Sequence, residues 1–325
     1  MLNGTRRFGA LAIAAAMLAA ACSSAATPTP APATPAPATP TVAASMAVTP
    51  APTTAATTPT AAATVNCVTG SITEAGSTAL QPLIQDAATA YQGHCPGATI
   101  TVTGGGSGTG LSQVAGGSVQ IGASDVLANT KLATPVADTL VDHVVCRQGW
   151  IVVTNLDVTG VTNLTTQQNI DIWTGVDTNW SQVGGPNLPI VLIFRPQSSG
   201  TRATFKKLVL GGATEAVGGQ TLTEDSNGAV TTAVTKTKGA VSVIGFAYYN
   251  APANKALLNG LQLDGVNATI ANVGNASYKL AADGNLYTLG AATGLAAAFI
   301  QFMLGPEVQG TIIPNDSYGP VPVSQ

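Results

Sequence analysis

From about residue 65 onward the apolar positions follow two rhythms, and the rhythms alternate. Val68 to Thr73 and Ala98 to Thr103 switch between apolar and polar residues, the period of a half-buried strand. Between them Leu80, Leu83, Ile84, Ala87, Ala88 and Tyr91 recur at helical spacing and predict a helix over 80–91. Val119 to Asp125 reads as a short strand ending in the polar pair Ser124-Asp125. Leu140 to Val145 and Trp150 to Thr154 are dense β segments separated by Arg147-Gln-Gly149. Pro189 to Phe194 and Val241 to Phe246 are nearly continuous apolar runs, the pattern of strands covered on both faces. Helical spacing returns at Thr165 to Trp173, Ala203 to Leu210, Asn227 to Lys236, Thr293 to Leu304 and Pro306 to Ile313. Strands that alternate with helices imply an α/β fold with mainly parallel sheets and flanking helices.

The turns between these elements carry the chemistry. Gly104-Gly-Gly-Ser107-Gly-Thr-Gly110 joins a strand to a helix, so several backbone N–H groups and the positive end of a helix dipole point out of one turn. Such a turn holds an anion without a cation. Ser77 and Thr78 precede the first helix, where helix capping alone would account for hydroxyls. Ligands of open α/β sheets sit beyond the carboxyl ends of strands, so Thr78, Ser107 and Asp125 should converge on one crevice. The pattern recurs at Arg195-Pro-Gln-Ser-Ser199-Gly200-Thr201-Arg202, now with arginine, whose fork matches an oxyanion. An anion element in each half suggests two lobes with the ligand between them. We expect lobe 1 at 65–152 plus 248–325 and lobe 2 at 153–247, with crossings near Trp150–Asn155 and Gly245–Tyr249.

Composition sets apart the first part of the 325-residue chain. Residues 1–21 hold Arg6, Arg7 and an apolar run too short to span a membrane, the pattern of a secretory signal. Leu18-Ala-Ala-Ala-Cys22 resembles the lipobox of bacterial lipoproteins, although Ala19 stands where leucine is usual. That resemblance implies lipidation of Cys22 and a lipid anchor on the outer face of the cytoplasmic membrane. Residues 22–64 are almost wholly Ala, Thr, Pro and Ser without charge, an expected disordered tether. A net charge of −3 with 8% charged residues excludes a nucleic-acid stripe and argues against a cationic funnel.

With Cys22 lipidated, Cys67, Cys95 and Cys146 remain. A strand and the helix after it bring Cys67 and Cys95 together, so these form the expected disulfide, with Cys146 a buried thiol. His94 and His143 are the only histidines and no CxxC spacing occurs, so no metal, cofactor or catalytic dyad is expected.

Four stretches in order resemble the phosphate-binding proteins of bacterial ABC transporters, with the two-lobed type II periplasmic-binding-protein fold. They are Ala75-Gly-Ser-Thr-Ala-Leu80, Gly104–Gly110, Ile121-Gly-Ala-Ser-Asp125 and Arg195-Pro-Gln-Ser-Ser-Gly-Thr201. The resemblance implies a monomeric extracytoplasmic receptor that binds inorganic phosphate and hands it to an ABC permease. It implies phosphate contacts from Thr78, Ala79, Ser107, Asp125, Arg195, Ser199, Gly200 and Thr201, with Ser77, Gly108 and Arg202 as secondary candidates. The family often carries an acidic residue two places after the arginine, where this chain has Gln197. A buried Asp125 would favour an anion that retains a proton over one that does not, because two facing acceptors leave an unmet polar contact costing about 1–3 kcal/mol. The alternatives are a receptor for sulfate, molybdate or tungstate, a phosphatase or serine hydrolase using Ser107 or Ser199, and a sensor or adhesin on the same fold.

Overall fold

The structure, a computed structural model, describes residues 64–321. The expected signal segment, Cys22 and the tether up to residue 63 lie outside the described residues. Chain order begins with β1 (Gly70–Gly76), α1 (Gln81–His94), β2 (Ala98–Thr103), α2 (Ser107–Ala115), β3 (Ile121–Ser124), the single turn α3 (Thr134–Ala137) and β4 (Leu140–Thr154). It continues through β5 (Asn163–Leu164), α4 (Thr166–Thr174), β6 (Val191–Phe194), α5 (Gly200–Leu208), β7 (Thr221–Thr223), α6 (Asn227–Lys236) and β8 (Ala240–Gly245). Next come α7 (Phe246–Asn250), α8 (Pro252–Lys255), β9 (Asn259–Gly260), β10 (Gln262–Leu263) and α9 (Ile270–Gly274). The chain then closes with β11 (Ala281–Leu289), α10 (Gly294–Met303), a π-type turn at Val308–Ile312 and α11 (Ile313–Asn315).

The fold is mixed α/β and two-lobed, and one strand belongs to both lobes. The sheet order is β2-β1-β3-β11-β4-β8-β6-β7. β1 pairs in parallel with β2 and β3, and β6 pairs in parallel with β7 and β8. β4 runs antiparallel to both its main neighbours: Leu140 to Gly149 pair with β11, and Trp150 to Thr154 pair with β8. The two β segments predicted here are therefore one strand of 15 residues. Its polar middle disguised the continuity. Arg147 reaches Asp283 on β11 at 2.9 Å, and Gln148 turns into the interior at 1% exposure. β11 was not predicted, because Asp283, Gly284 and Asn285 interrupt its apolar pattern at a bulge.

Each lobe has its own core. In the first, Leu80 at the N-cap of α1 and Leu83, Ile84 and Tyr91 within it meet Phe299 and Met303 of α10 over Ile72, Ile100 and Leu286. On the other face Leu111 and Val114 of α2 cover Ala75 and Tyr287, so this sheet is covered on both sides. The second core gathers Trp150, Trp173, Trp180, Ile193, Phe205, Val230 and Ile244. Burying side chains of this size contributes roughly 1.5–3 kcal/mol each. Leu258, Leu261, Leu263, Val273, Tyr278 and Leu280 also belong to the second core, beyond residue 247, where the sequence reading ended that lobe. Cys67 and Cys95 form a disulfide with Cα atoms 5.3 Å apart, and Cys146 is a buried free thiol.

Candidate functional site

Because β2 and β3 flank β1, the turns after the first-lobe strands emerge side by side. Ser77 to Ala79 lead from β1 into α1, Gly104 to Gly106 lead from β2 into α2, and Asp125 follows β3. Gly106 caps α2 at φ +87°, a backbone state that L side chains disfavour, and its N–H donates to Gly76 O at 2.8 Å. That geometry starts α2 at Ser107, which is fully buried. The Asp125 N–H donates to Ser107 Oγ at 3.0 Å, leaving the serine's own hydrogen free to donate.

The opposite wall is the turn from β6 into α5. Ser199 caps α5, its Oγ accepting from the Arg202 N–H at 3.2 Å. Gly200 lies so close to the first lobe that a Cβ there would strike Ser107 Oγ and Asp125, so glycine lets the two helix starts meet. The Gly108 N–H donates to Ser198 O at 2.8 Å across the cleft. Lys131 crosses the same way, its Nζ donating to Gln197 O at 2.7 Å and Ser199 O at 3.1 Å.

Asp125 sits at the centre with 3% exposure. One carboxylate oxygen accepts from Ser77 Oγ and from Gln148 Nε2 at 3.1 Å, and the other accepts from Thr201 Oγ1 at 3.2 Å. Burial pushes its pKa above the usual carboxylate range, while Ser77, Gln148, Arg195 and Thr201 pull it back. Thr201 Oγ1 in turn accepts from Trp150 Nε1 at 3.1 Å, so its hydrogen is directed at Asp125.

Arg195 is 4% exposed and supplies the charge. Its Nη2 donates to Thr78 Oγ1 at 3.2 Å and to Asp225 O at 2.9 Å. Its Nε and Nη1 are buried with no hydrogen-bond partner among the described residues. Burial lowers its pKa from the ordinary arginine value, and Asp125, Asp225 and Tyr248 oppose that. A buried guanidinium with unmet donors beside serine, threonine and helix N–H groups is suited to an oxyanion.

Thr78, Ser107, Asp125, Arg195, Ser199, Gly200 and Thr201 are thus brought together and buried. Ala79 is adjacent, but its N–H donates to Ser77 Oγ at 3.1 Å. The secondary candidates have other duties. Ser77 holds Asp125, and Gly108 ties the lobes. Arg202 pairs with Glu215 (Nη2 to Oε2, 2.7 Å) and lies over the Phe194 ring, while its Nη1 donates to the Arg195 carbonyl. It therefore supports Arg195 from behind. Gln148, Lys131 and Asn227 were missed: a glutamine within a strand, a lysine in a loop and an asparagine starting a helix carry no distinctive local signal.

Neither histidine is in hydrogen-bond contact with a candidate nucleophile: His94 bonds Glu307 at 2.8 Å and His143 bonds Thr288 at 3.0 Å. Among the described residues no cluster of His, Cys, Asp or Glu is arranged to hold a metal ion.

The chain is similar to known proteins of one family. A family model described as a PBP superfamily domain matches residues 53–307. The chain is 41% identical over 252 residues to the phosphate-binding protein PstS of Bacillus subtilis (strain 168), spanning 78% of this chain and 81% of that protein. A candidate phosphate ABC transporter substrate-binding protein from Clostridium perfringens, solved with bound phosphate, is 28% identical with a TM-score of 0.70, covering 78% of this chain and 100% of that one. An ABC-type phosphate transport receptor from Vibrio cholerae is 27% identical with a TM-score of 0.61, again covering 78% and 100%.

Proposed function

The chain belongs to the PBP superfamily and, within it, to the PstS phosphate-binding proteins, and we propose that its cleft binds inorganic phosphate and presents it to an ABC-type importer. It is a receptor and not an enzyme, and it works outside the cytoplasm.

The observation that carries the reading is the pairing of opposite tools in one buried cleft. Arg195 has two buried donors without partners, and Asp125 is a buried carboxylate a short distance into the same cleft. Donors alone would accept any oxyanion. Ser107, Thr78 and Ser199 offer hydroxyls, Gly200 and Thr201 offer N–H groups at the start of α5, and Arg195 offers its fork. Asp125 has three donors already on its two oxygens, which leaves it acceptor capacity for one more. Phosphate near neutral pH still carries a proton that can fill it. Sulfate does not, and would place an oxygen lone pair against a carboxylate.

The long strand β4, shared by both lobes, is the natural hinge for closing them on the ligand. From the second core we propose that lobe 2 extends to about residue 281, with β11 returning the chain to lobe 1. We also propose that Cys22 carries the lipid anchor, that residues 22–64 tether the receptor to the membrane, and that it acts as a monomer. Mass spectrometry of the mature N-terminus tests the anchor. Calorimetric titration of phosphate against sulfate tests the function.

A further inference from the structure

Asn227 opens α6, is fully buried, and belongs to none of the anion-binding turns read from the sequence. Its Nδ2 donates to Thr78 Oγ1 at 2.9 Å, and its backbone N–H donates to the same oxygen at 3.2 Å. Arg195 Nη2 is a third donor there, also at 3.2 Å. A hydroxyl oxygen has two lone pairs, so three N–H groups exceed what it can accept. Asn227 alone can satisfy both.

Two consequences follow for the oxygen and its neighbour. With both lone pairs occupied, the Thr78 hydroxyl has only its hydrogen left to offer, so it must act as a donor. One hydrogen of Arg195 Nη2 stays on the Asp225 carbonyl at 2.9 Å. The other is not needed at Thr78 and is released to join Nε and Nη1, the buried donors without partners among the described residues. The remaining polar atom of Asn227 is also engaged: Oδ1 accepts from the Gly245 N–H at 3.0 Å, at the end of β8.

Resting on the phosphate reading, we propose that Asn227 is a positioning residue for anion recognition. From the second lobe it fixes the first lobe's Thr78 hydroxyl as a donor and frees the Arg195 fork for the anion. Without its side chain only the Asn227 backbone N–H stays on Thr78 Oγ1, and the lone pair left open draws an Arg195 hydrogen away from the ligand. Its tie to Gly245 joins this task to β8, which pairs with the second-lobe half of β4.

The test is a double-mutant cycle read by calorimetric titration with inorganic phosphate. Thr78→Val keeps shape and removes the hydroxyl. Asn227→Ala should weaken binding about tenfold in the wild-type background, the scale of one hydrogen bond, and less than twofold in Thr78→Val. Asn227→Asp keeps an acceptor for Gly245 and the side-chain volume, so its ligand-free melting temperature should stay near that of wild type at acid pH, where the buried carboxyl is protonated. Its phosphate affinity should fall at least tenfold, and the gap to wild type should narrow as pH drops and the new carboxyl regains a proton to donate. Additive losses in the cycle, a loss under twofold for Asn227→Ala alone, or a gap for Asn227→Asp that ignores pH would each overturn the proposal. Failure of the wild-type protein to bind phosphate would instead overturn the reading on which it rests.

Discussion

Gln148 and Asp125 meet in the interior through Nε2 and Oδ1 at 3.1 Å, although one lies in the strand shared by the lobes and the other at the end of β3. The bond ties the residue proposed to discriminate among anions to the strand that pairs with both halves of the sheet.

It also sets a pH dependence. Burial raises the Asp125 pKa, and the Gln148 donor lowers it. Once protonated, Asp125 can donate and no longer repels a fully ionised oxyanion. Sulfate keeps its charge across the mildly acidic range, so its affinity should rise as pH falls through the Asp125 pKa. Gln148→Met removes a donor from the ionised form, and that rise should begin at higher pH. Sulfate titrations of both proteins over about four pH units, from the ordinary carboxylate value of ~4 upward, check the shift.

Asp125→Asn replaces an acceptor with a group that donates as well as accepts. Phosphate affinity should fall and sulfate affinity should rise, narrowing their ratio by roughly tenfold or more, since an opposed buried polar pair costs about 1–3 kcal/mol. Competition between the two anions measures the ratio directly.

Lys131 holds two carbonyls of the opposite lobe, those of Gln197 and Ser199. Lys131→Met keeps the aliphatic stem and removes the charge. Phosphate release should accelerate by roughly tenfold, the discounted value of charge-assisted bonds at a half-buried site. Stopped-flow dissociation reads the effect, and an unchanged rate would show that Lys131 contributes nothing to closure.

A second titratable feature lies away from the cleft. Burial and neighbouring Asp86 raise the Asp316 pKa from 3.8 to about 6. An acid whose pKa is higher folded than unfolded favours the folded state while protonated. That contribution is present at the acid end and is lost as pH rises through about 6. Asp316→Asn should therefore raise the melting temperature at pH 7 to 8, about one unit or more above that value, and give little change near the unfolded value. Thermal scans across pH check it.

Much of this was legible because local pattern and global role agree. The glycine turn at 104–106, the hydroxyls of Ser107 and Ser199, and Arg195 beside an Ser-Gly-Thr turn each announce anion chemistry from neighbours in the chain. The continuous apolar runs at β6 and β8 reveal strands covered on both faces. The rest depends on partners distant in sequence. Gln148 looked like part of a break between strands, yet its side chain is the inward polar contact that Asp125 requires. Arg202 resembled a ligand until Glu215 supplied its partner. Asn227 has meaning only once Thr78 lies opposite it. That the core around Trp150 and Ile151 takes in residues as far as Ala281 was hidden because the short elements from α7 to α9 carry little periodicity.

The most direct test of the account is calorimetric titration of the purified receptor domain with inorganic phosphate, followed by sulfate, at neutral pH. The account predicts saturable binding of a single phosphate and sulfate affinity weaker by at least about tenfold, the factor corresponding to ~1.4 kcal/mol. No heat with phosphate, or sulfate bound as tightly as phosphate, would contradict it.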